Sequence, residues 1–254
     1  MQKLFIAALS IIFISGCATK IDRGSFRESV RTLNDKPHGY LVIADPTGSG
    51  PTPYIEKFEV RHGDCGRSRD WDDCKNDRER SEIYTGSDNY EGDEYWYGWS
   101  LYLPDDFPDL FPVNQTIGQF KNDEGCVTFA FEKSWRGLII DRQAGVAPNC
   151  QAQQEVHLLT DQELLGKWNK FEIHAKWSKK EDGYFDVYIN EELKYKYKGK
   201  TSYKTLLNQK YGVYRSFLSR YCLANNCSVS KEVPTQIAYY ANVKRSKTRE
   251  GLAP

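Results

Sequence analysis

Polar side chains recur at alternate positions in three separate stretches of this 254-residue chain. In an extended strand alternate residues share one face, so each stretch would present its polar residues together. Arginine pairs a carboxylate through two parallel hydrogen bonds, and a tyrosine close to cations can exchange its proton. Such a set could bind an acidic ligand and move a proton on it, although a solvated outer face explains the spacing equally well. The residues are Arg78, Arg80 and Glu82, then Gln119 and Lys121, and finally Lys210 and Tyr214.

Gly212 stands midway between Lys210 and Tyr214 in QKYGVYRS, a run that otherwise has the pattern of a strand. A glycine inside a strand weakens it and often marks a point where another backbone or a ligand comes close. We therefore expect the lysine and the phenol to flank a gap in the surface.

Strand-like alternation between Gly, Asn, Asp and Pro breaks dominates the rest of the chain. The clearest strand is EYWYGWSLYLP at 94–104, and 171–193 is expected to form a hairpin around the turn sequence EDG. One short helix is predicted within 159–168. Many strands in one domain of this size predict an all-β fold, a two-sheet antiparallel jelly-roll sandwich, with a face that could hold an extended chain.

The N-terminus has the layout of a bacterial lipoprotein signal, with one lysine, an apolar run over 4–14 and small residues before Cys17. We predict a signal peptide over 1–17 with Cys17 as the lipidated residue, a polar tether over 18–34 and one domain over 35–254. Acyl chains on Cys17 would anchor the protein to the cell envelope, and the residues after it favour the outer membrane. A plain secretory signal with an incidental cysteine is the alternative.

Six of the seven cysteines remain once Cys17 is set aside, an even number in a chain predicted to be exported. An oxidising compartment makes disulfides the default interpretation. A zinc site is disfavoured because the sequence has no Cys-x-x-Cys motif and its four histidines are scattered. Proximity along the chain predicts three local bridges, Cys65–Cys74, Cys126–Cys150 and Cys222–Cys227.

Lys plus Arg equals Asp plus Glu at 35 each, so no overall field would attract a polyanion. An anionic partner must then be held by a local basic patch, and we expect a monomer that binds no nucleic acid. Alternating lysines over 194–200 could form such a patch, although lysines of this kind more often protect an edge strand from pairing. The one cofactor considered is a structural calcium ion, with Asp45, Asp186 and Asn242 as candidate ligands, although the sequence has no compact ligand loop.

The three polar stretches resemble, in order along the chain, the signature motifs of jelly-roll polysaccharide lyases. Residues 80–82 (RSE) resemble Arg-(Ser/Thr)-Glu, 119–121 (QFK) resemble Gln-x-His, and 210–214 (KYGVY) resemble the end of Tyr-Phe-Lys-x-Gly-x-Tyr. The similarity runs over 58–243 and is to the group containing heparin lyase I and glucuronan lyase, with motifs also similar to alginate lyases. It implies a concanavalin-like jelly roll. One position departs from the pattern, since Lys121 stands where the family usually has histidine.

The resemblance implies a lyase that cleaves a uronic-acid-containing polysaccharide by β-elimination. Such an enzyme neutralises the carboxylate, removes the neighbouring proton and returns a proton to the leaving oxygen. Arg80 and Gln119 would neutralise the carboxylate, and Tyr214 would serve as base and acid. Lys121 would either clamp the carboxylate or replace the histidine as a base. The implied catalytic residues are Arg80, Gln119, Lys121, Lys210 and Tyr214, and the implied substrate-binding residues are Arg78, Glu82 and Arg215.

Two alternatives to an enzyme remain at the level of the sequence. The first is a non-catalytic carbohydrate-binding lipoprotein on the same fold, with Lys121 as the sign of lost chemistry. The second is a structural envelope lipoprotein without a glycan ligand. The presence of Tyr214 favours the enzyme, because a pure binding protein has little use for a phenol beside a lysine in a groove.

Overall fold

A computed structural model describes residues 21–26, 31–34, 36–68, 70–123, 126–143, 154–226 and 233–254. Within these ranges the chain folds into two seven-stranded antiparallel sheets that pack face to face. The front sheet contains, in spatial order, β1 (Arg31–Thr32), β4 (Arg78–Tyr90), β13 (Leu206–Ser216), β6 (Asn114–Asn122), β7 (Val127–Ser134), β8 (Gly137–Arg142) and β9 (Gln154–Leu159). The back sheet contains β12 (Glu192–Lys198), β11 (Tyr184–Ile189), β10 (Trp168–Lys176), β5 (Glu94–Tyr102), β14 (Gln236–Ser246), β3 (Tyr54–Val60) and β2 (Tyr40–Ala44).

The helical segments within the described ranges are short. They are α1 (Asp161–Leu164), α2 (Ser219–Ala224) and two 3₁₀ turns, Cys74–Asn76 and Glu250–Leu252. The predicted helix within 159–168 is therefore confirmed but is a single turn, closed by a capping box between Thr160 and Glu163. Among the described residues no helix is long and apolar enough to cross a membrane.

The core lies between the two sheets, as the period-two pattern of the sequence predicts. On β5, Tyr97, Trp99 and Leu101 alternate inward and are fully or almost fully buried. Phe129 of the front sheet stacks on Phe185 of the back sheet with ring centroids 3.8 Å apart. These large apolar faces drive the sheets together, and the two-sheet antiparallel sandwich is confirmed. The predicted hairpin is also present, since the whole of β11 pairs with residues 171–176 of β10.

The N-terminal segment packs on the domain where the sequence predicts a tether. Arg23 reaches the core, forms an ion pair of 2.5 Å with Glu56 and hydrogen bonds to Tyr211. Phe26 is buried in the core cluster, and the Leu33 amide donates to the carbonyl of Glu82 at 2.8 Å. The described residues of the predicted tether, 18–34, thus pack on the domain, because an arginine with a buried carboxylate partner and a buried phenylalanine hold them in place.

The predicted disulfide between Cys65 and Cys74 is confirmed and closes the loop that leads into β4. Cys126 is also disulfide-bonded. The signal peptide, Cys17, Cys150 and Cys227 lie outside the described residues, so lipidation and the other two pairings stay predictions.

Candidate functional site

The three polar stretches lie on three neighbouring strands, because the front sheet has the order β4-β13-β6. Tyr214 pairs with Arg80 across β13 and β4, and Lys210 pairs with Gln119 across β13 and β6. Cross-strand partners share a face of the sheet. The intervening Tyr211 points into the core and packs on Phe58 of the back sheet. The five predicted catalytic residues therefore lie on the outer face of the front sheet, the face directed away from the back sheet.

Arg80 is held by two carboxylates. Its Nε and Nη2 donate to the two oxygens of Asp73, each at 2.5 Å, and its Nη1 donates to Glu82 at 3.2 Å. Burial alone would lower the pKa of Arg80, but the carboxylates of Glu82 and Asp73 outweigh burial and raise it. Bidentate pairs of this kind fix the plane of the guanidinium as well as its position. The side chain is consequently a rigid part of the site.

Glu82 joins β4 to β6. It is 1% exposed, and its Oε1 accepts from the Gln119 amide at 2.7 Å while its Oε2 accepts from Arg80. Both oxygens are thus occupied by protein donors. The prediction that Glu82 contacts a substrate is not supported by this arrangement, which instead makes it the residue that positions Arg80 and Gln119.

Three cations of the outer face, Arg78, Lys121 and Lys210, lack a carboxylate ion pair within the described part of the chain, and of these Arg78 is stacked on Phe217. Burial lowers the pKa of Lys210 to about 8, and the cations of Lys121 and Arg80 add to this effect against the attraction of Glu82. Burial and then the Arg80 cation also lower the pKa of Lys121. Two half-buried ammonium groups without a carboxylate partner are costly, and an anionic ligand would relieve that cost.

Tyr214 lies beneath Arg80, whose guanidinium carbon is 4.1 Å from the centre of the phenol ring. Such cation–π stacking orients the ring and brings a permanent positive charge close to it. Tyr214 is half-buried, so part of its side chain is open to solvent.

A glycine is required at position 212 because of the backbone geometry of the sheet, and it does not mark a gap in the surface. Its φ is +124°, and an added Cβ would lie 2.3 Å from the carbonyl oxygen of Ser81 and 2.7 Å from the ring of Phe58. The register between β13 and β6 shifts between Tyr211 and Tyr214, which marks a bulge at the glycine. The close approach that the sequence predicted is therefore real, but the approaching group is the neighbouring strand.

Arg78 and Arg215 differ from the other predicted residues. Arg78 stacks on Phe217 at 4.0 Å and donates to the carbonyl of Asn76, so it lies at the end of the outer face. Arg215 is fully buried on the opposite side, where it forms an ion pair of 2.5 Å with Glu79. The prediction that Arg215 contacts a substrate is wrong, because the side chain lies in the interior with its own carboxylate.

Asp73 is the residue that sequence patterns missed. It is fully buried, and besides Arg80 it accepts from the indole of Trp71 at 2.7 Å and from the Gly66 amide at 2.9 Å. It directly precedes Cys74, whose disulfide fixes the loop beside β4. A carboxylate seven residues before the central arginine, next to a predicted disulfide, is a signal that could have identified it.

The candidate calcium ligands do not come together. Asp45 follows β2 and accepts from Thr47 and Gly50 within its own turn, whereas Asp186 lies on β11 at the other side of the back sheet. Asn242 donates to the carbonyl of Leu252. No group of three or more His, Cys, Asp or Glu suited to a metal occurs among the residues that the structure describes.

The lysine row over 194–200 lies on β12 and just after it, at the edge of the back sheet. Lys194 and Lys196 have carboxylate neighbours in Glu192 and Asp186. This favours the interpretation of an edge protected by charge over that of a ligand patch.

The fold resembles solved enzymes that act on polysaccharides. Endo-β-1,4-glucuronan lyase from the fungus Trichoderma reesei superposes with a TM-score of 0.62 at 15% identity, covering 90% of this chain and 94% of that one. A family 7 alginate lyase, A1-II′ with bound product, gives 0.56 at 13% identity over 82% and 83% of the two chains. A GH131 β-glucanase catalytic domain from Podospora anserina gives 0.52 at 14% identity over 85% and 83%. The fold thus carries more than one chemistry.

The sequence itself decides between these chemistries. No curated protein matches it significantly. The family model described as polysaccharide lyase, however, matches residues 16–244, which include every motif strand of the site. The chain therefore belongs to the polysaccharide lyase family.

Proposed function

We propose that this polysaccharide lyase cleaves a uronic-acid-containing polysaccharide by β-elimination on the outer face of the front sheet. The observation that carries the proposal is the pairing of Gln119 with Lys210 and of Arg80 with Tyr214 on adjacent strands, which groups donors, cations and a phenol. A carboxylate is the ligand that such a group of donors and cations fits best.

The reaction needs two things from the protein. The proton at C5 of a uronate is α to the carboxylate and is very weakly acidic while that carboxylate is charged, so the negative charge that develops must be stabilised. A base must then take the C5 proton while the bond from C4 to the glycosidic oxygen breaks, and that oxygen must receive a proton. The products are a new reducing end and a chain that begins with a C4–C5 double bond.

Lys121, Lys210 and the Gln119 amide form the proposed carboxylate site. Both lysines are half-buried without an ion pair among the described residues, and Gln119 is held in place by Glu82. Arg80 is better described as a positioning residue, because Asp73 and Glu82 already take three of its donors. The charge that neutralises the substrate carboxylate is therefore assigned to Lys121 and Lys210, whereas the sequence motifs alone suggested Arg80.

Tyr214 is the proposed proton-transfer residue. Its hydroxyl would take the C5 proton and return it to the leaving oxygen when both lie on the same side of the sugar. The Arg80 cation stacked on the ring, 4.1 Å from its centre, stabilises the negative charge that the phenolate carries between the two transfers. A second base is needed when the two groups lie on opposite sides of the sugar. Lys121, whose pKa burial lowers, would fill that role only as the neutral amine, in which form it no longer clamps the carboxylate.

The test is to incubate the purified protein with a panel of uronate polymers and follow the ultraviolet absorbance of the unsaturated product. We expect cleavage of at least one polymer, and Lys121→Ala should raise KM for it because the clamp is lost. Lys196→Ala, on the exposed edge of the back sheet, is the matched control and should leave the kinetics unchanged. Absence of product from every uronate polymer would refute the proposal.

We further propose that the enzyme acts as a monomer at the bacterial outer membrane, anchored by lipid on Cys17. The lipobox-like sequence before that cysteine supports the anchor. Metabolic labelling with a fatty-acid analogue should mark the parent and not Cys17→Ser, and equal labelling of both would refute the anchor.

A further inference from the structure

One exposed tryptophan lies beside the proposed site. Trp71, in the loop that the Cys65–Cys74 disulfide closes, is 46% exposed, whereas Trp99 and Trp177 are buried in the core. A single exposed aromatic residue is common on protein surfaces and by itself needs no explanation. What distinguishes Trp71 is how firmly it is held and where it lies.

Trp71 is held by the same carboxylate as Arg80. Its indole Nε1 donates to Oδ1 of Asp73 at 2.7 Å, and Nη2 of Arg80 donates to that same oxygen at 2.5 Å. The carbonyl of Trp71 also accepts from the Ser68 amide at 2.8 Å. Because the indole has only one hydrogen-bond donor and that donor is already used, a ligand can contact Trp71 only through the faces and the outer edge of its ring.

The faces of the Trp71 ring are open to a ligand. No aromatic ring or cation stacks on them among the described residues. Trp135, the other exposed tryptophan, has Arg136 stacked on its ring at 4.2 Å and Phe111 beside it. A rigidly held indole buries a large apolar area against a ligand at little cost in side-chain entropy. The C–H face of a sugar ring is a group that such a surface can bind.

Trp71 also lies in line with the proton-transfer residue. Tyr214 of β13 and Arg80 of β4 are cross-strand neighbours, and beyond β4 the loop continues this row, because the Arg80 amide donates to the carbonyl of Asp64 at 2.9 Å. The contacts from the indole through the shared carboxylate and Arg80 place the indole nitrogen no more than about 10 Å from the Tyr214 ring, the length of a disaccharide. A sugar on Trp71 is therefore at most two residues away from a uronate at Tyr214.

We propose that Trp71 is a substrate-binding residue, on which a neighbouring sugar of the polymer stacks while the reacting uronate lies at Tyr214. A chain that crosses the strands from β13 over β4 passes above Arg80 and reaches the open face of the indole. The contact requires only the C–H face of a pyranose, so it adds affinity for uronates and neutral sugars alike. This inference rests on the proposed function and adds a second point at which the same substrate is held.

A purely structural role would leave Trp71 without a substrate contact. In that role its N–H serves only to hold Asp73, and through Asp73 the guanidinium of Arg80. Phenylalanine separates the two roles, because it keeps an aromatic ring for stacking and lacks the N–H. Stacking predicts that Trp71→Phe retains most of the affinity that Trp71→Ala loses, whereas the structural role predicts equal losses.

The experiment measures affinity in the Tyr214→Phe background, so that the polymer stays intact during the measurement. Affinity electrophoresis is run against glucuronan, alginate, heparosan and hyaluronan. For each polymer that binds, we expect Trp71→Ala to weaken the affinity about tenfold and Trp71→Phe to stay within about threefold. Tyr54→Ala is the matched control, since this aromatic side chain is 50% exposed at the start of β3 in the back sheet, and its loss should leave the affinity unchanged.

Unchanged affinity in Trp71→Ala, an equal loss in Trp71→Phe, or an equal loss in Tyr54→Ala would overturn the inference. Should Trp71→Ala fail to fold, tryptophan fluorescence decides. A bound polymer must then change the emission, and most of that change must disappear in Trp71→Phe; an emission that does not change, or that changes equally in both proteins, would overturn the inference. The expected affinities without any unsaturated product from the parent would sink only the proposed β-elimination, and failure to bind any polymer would overturn both.

Discussion

Replacing Lys210 by methionine should stabilise the fold while it weakens substrate binding. The ammonium of Lys210 is half-buried on the outer face, and among the described residues no carboxylate forms an ion pair with it. The folded protein therefore bears a cost for keeping this group charged. Methionine keeps much of the length and packing of the side chain and removes the charge. A residue that costs stability and is retained for function is a common feature of active sites.

The size of the effect follows from the pKa. A fall from the ordinary 10.5 to about 8 corresponds to about 3 kcal/mol at neutral pH. Because the group is only half-buried, solvent screening reduces this, and we expect Lys210→Met to raise the free energy of unfolding by about 1–3 kcal/mol at pH 7. Between the folded and unfolded pKa values the unfolded state binds more protons, so the stability of the parent rises with pH through that window. The advantage of the variant should therefore shrink from pH about 8 to 10.5.

The assay is denaturant unfolding of parent and variant at several pH values, with the exposed Lys196→Met as the control that should show no such trend. The same samples give KM for a cleaved polymer, which should rise in Lys210→Met because one cation of the carboxylate site is lost. If the variant is less stable than the parent at neutral pH, by an amount that does not change with pH, the inference that the charge of Lys210 costs stability is wrong.

Two further substitutions test how the site is supported. Asp73→Asn should cost about 2–4 kcal/mol of stability and lower kcat, because it removes the buried carboxylate that fixes the guanidinium of Arg80. Unchanged unfolding and unchanged kcat would show that Glu82 alone is enough to position Arg80. Gly212→Ala should cost more than about 2 kcal/mol, because its Cβ would meet the carbonyl of Ser81, whereas Gly92→Ala, also at positive φ but with open space around it, should cost about 1 kcal/mol. Equal losses in the two glycine variants, measured by denaturant midpoint, would contradict the close approach.

The fold could be predicted from the sequence because a β-sandwich depends on the alternation of apolar and polar residues along each strand, which is a local pattern. Tyr97, Trp99 and Leu101 could be assigned to one face without any knowledge of their partners. That the three site strands come together could also be predicted, because their sequences resemble three motifs of one family in the same order. Which side of a strand faces the ligand is not local, however, and Arg215 could not be told from its neighbours until Glu79 was seen beside it in the interior.

The partners of the site residues were the least predictable feature. Asp73 reaches Arg80 from a loop fixed by a disulfide, and no periodic pattern marks such a contact. The positions of Glu132 and Asp141 were likewise not predicted, because they come to lie on the same face as the site residues only through the strand order of the front sheet. In the same way Arg23, in a segment whose polarity predicts a tether, is held by Glu56 from a strand far along the chain.

The central claim is that Tyr214 transfers the proton, and Tyr214→Phe tests it most directly. The substitution keeps the ring under Arg80 and removes only the hydroxyl, so fold and polymer affinity should stay within about threefold of the parent while turnover falls by more than about a hundredfold. The measurement is the rate of unsaturated product by ultraviolet absorbance on a polymer that the parent cleaves, together with affinity for that polymer. Full turnover in Tyr214→Phe would contradict the account and make Lys121 the leading base.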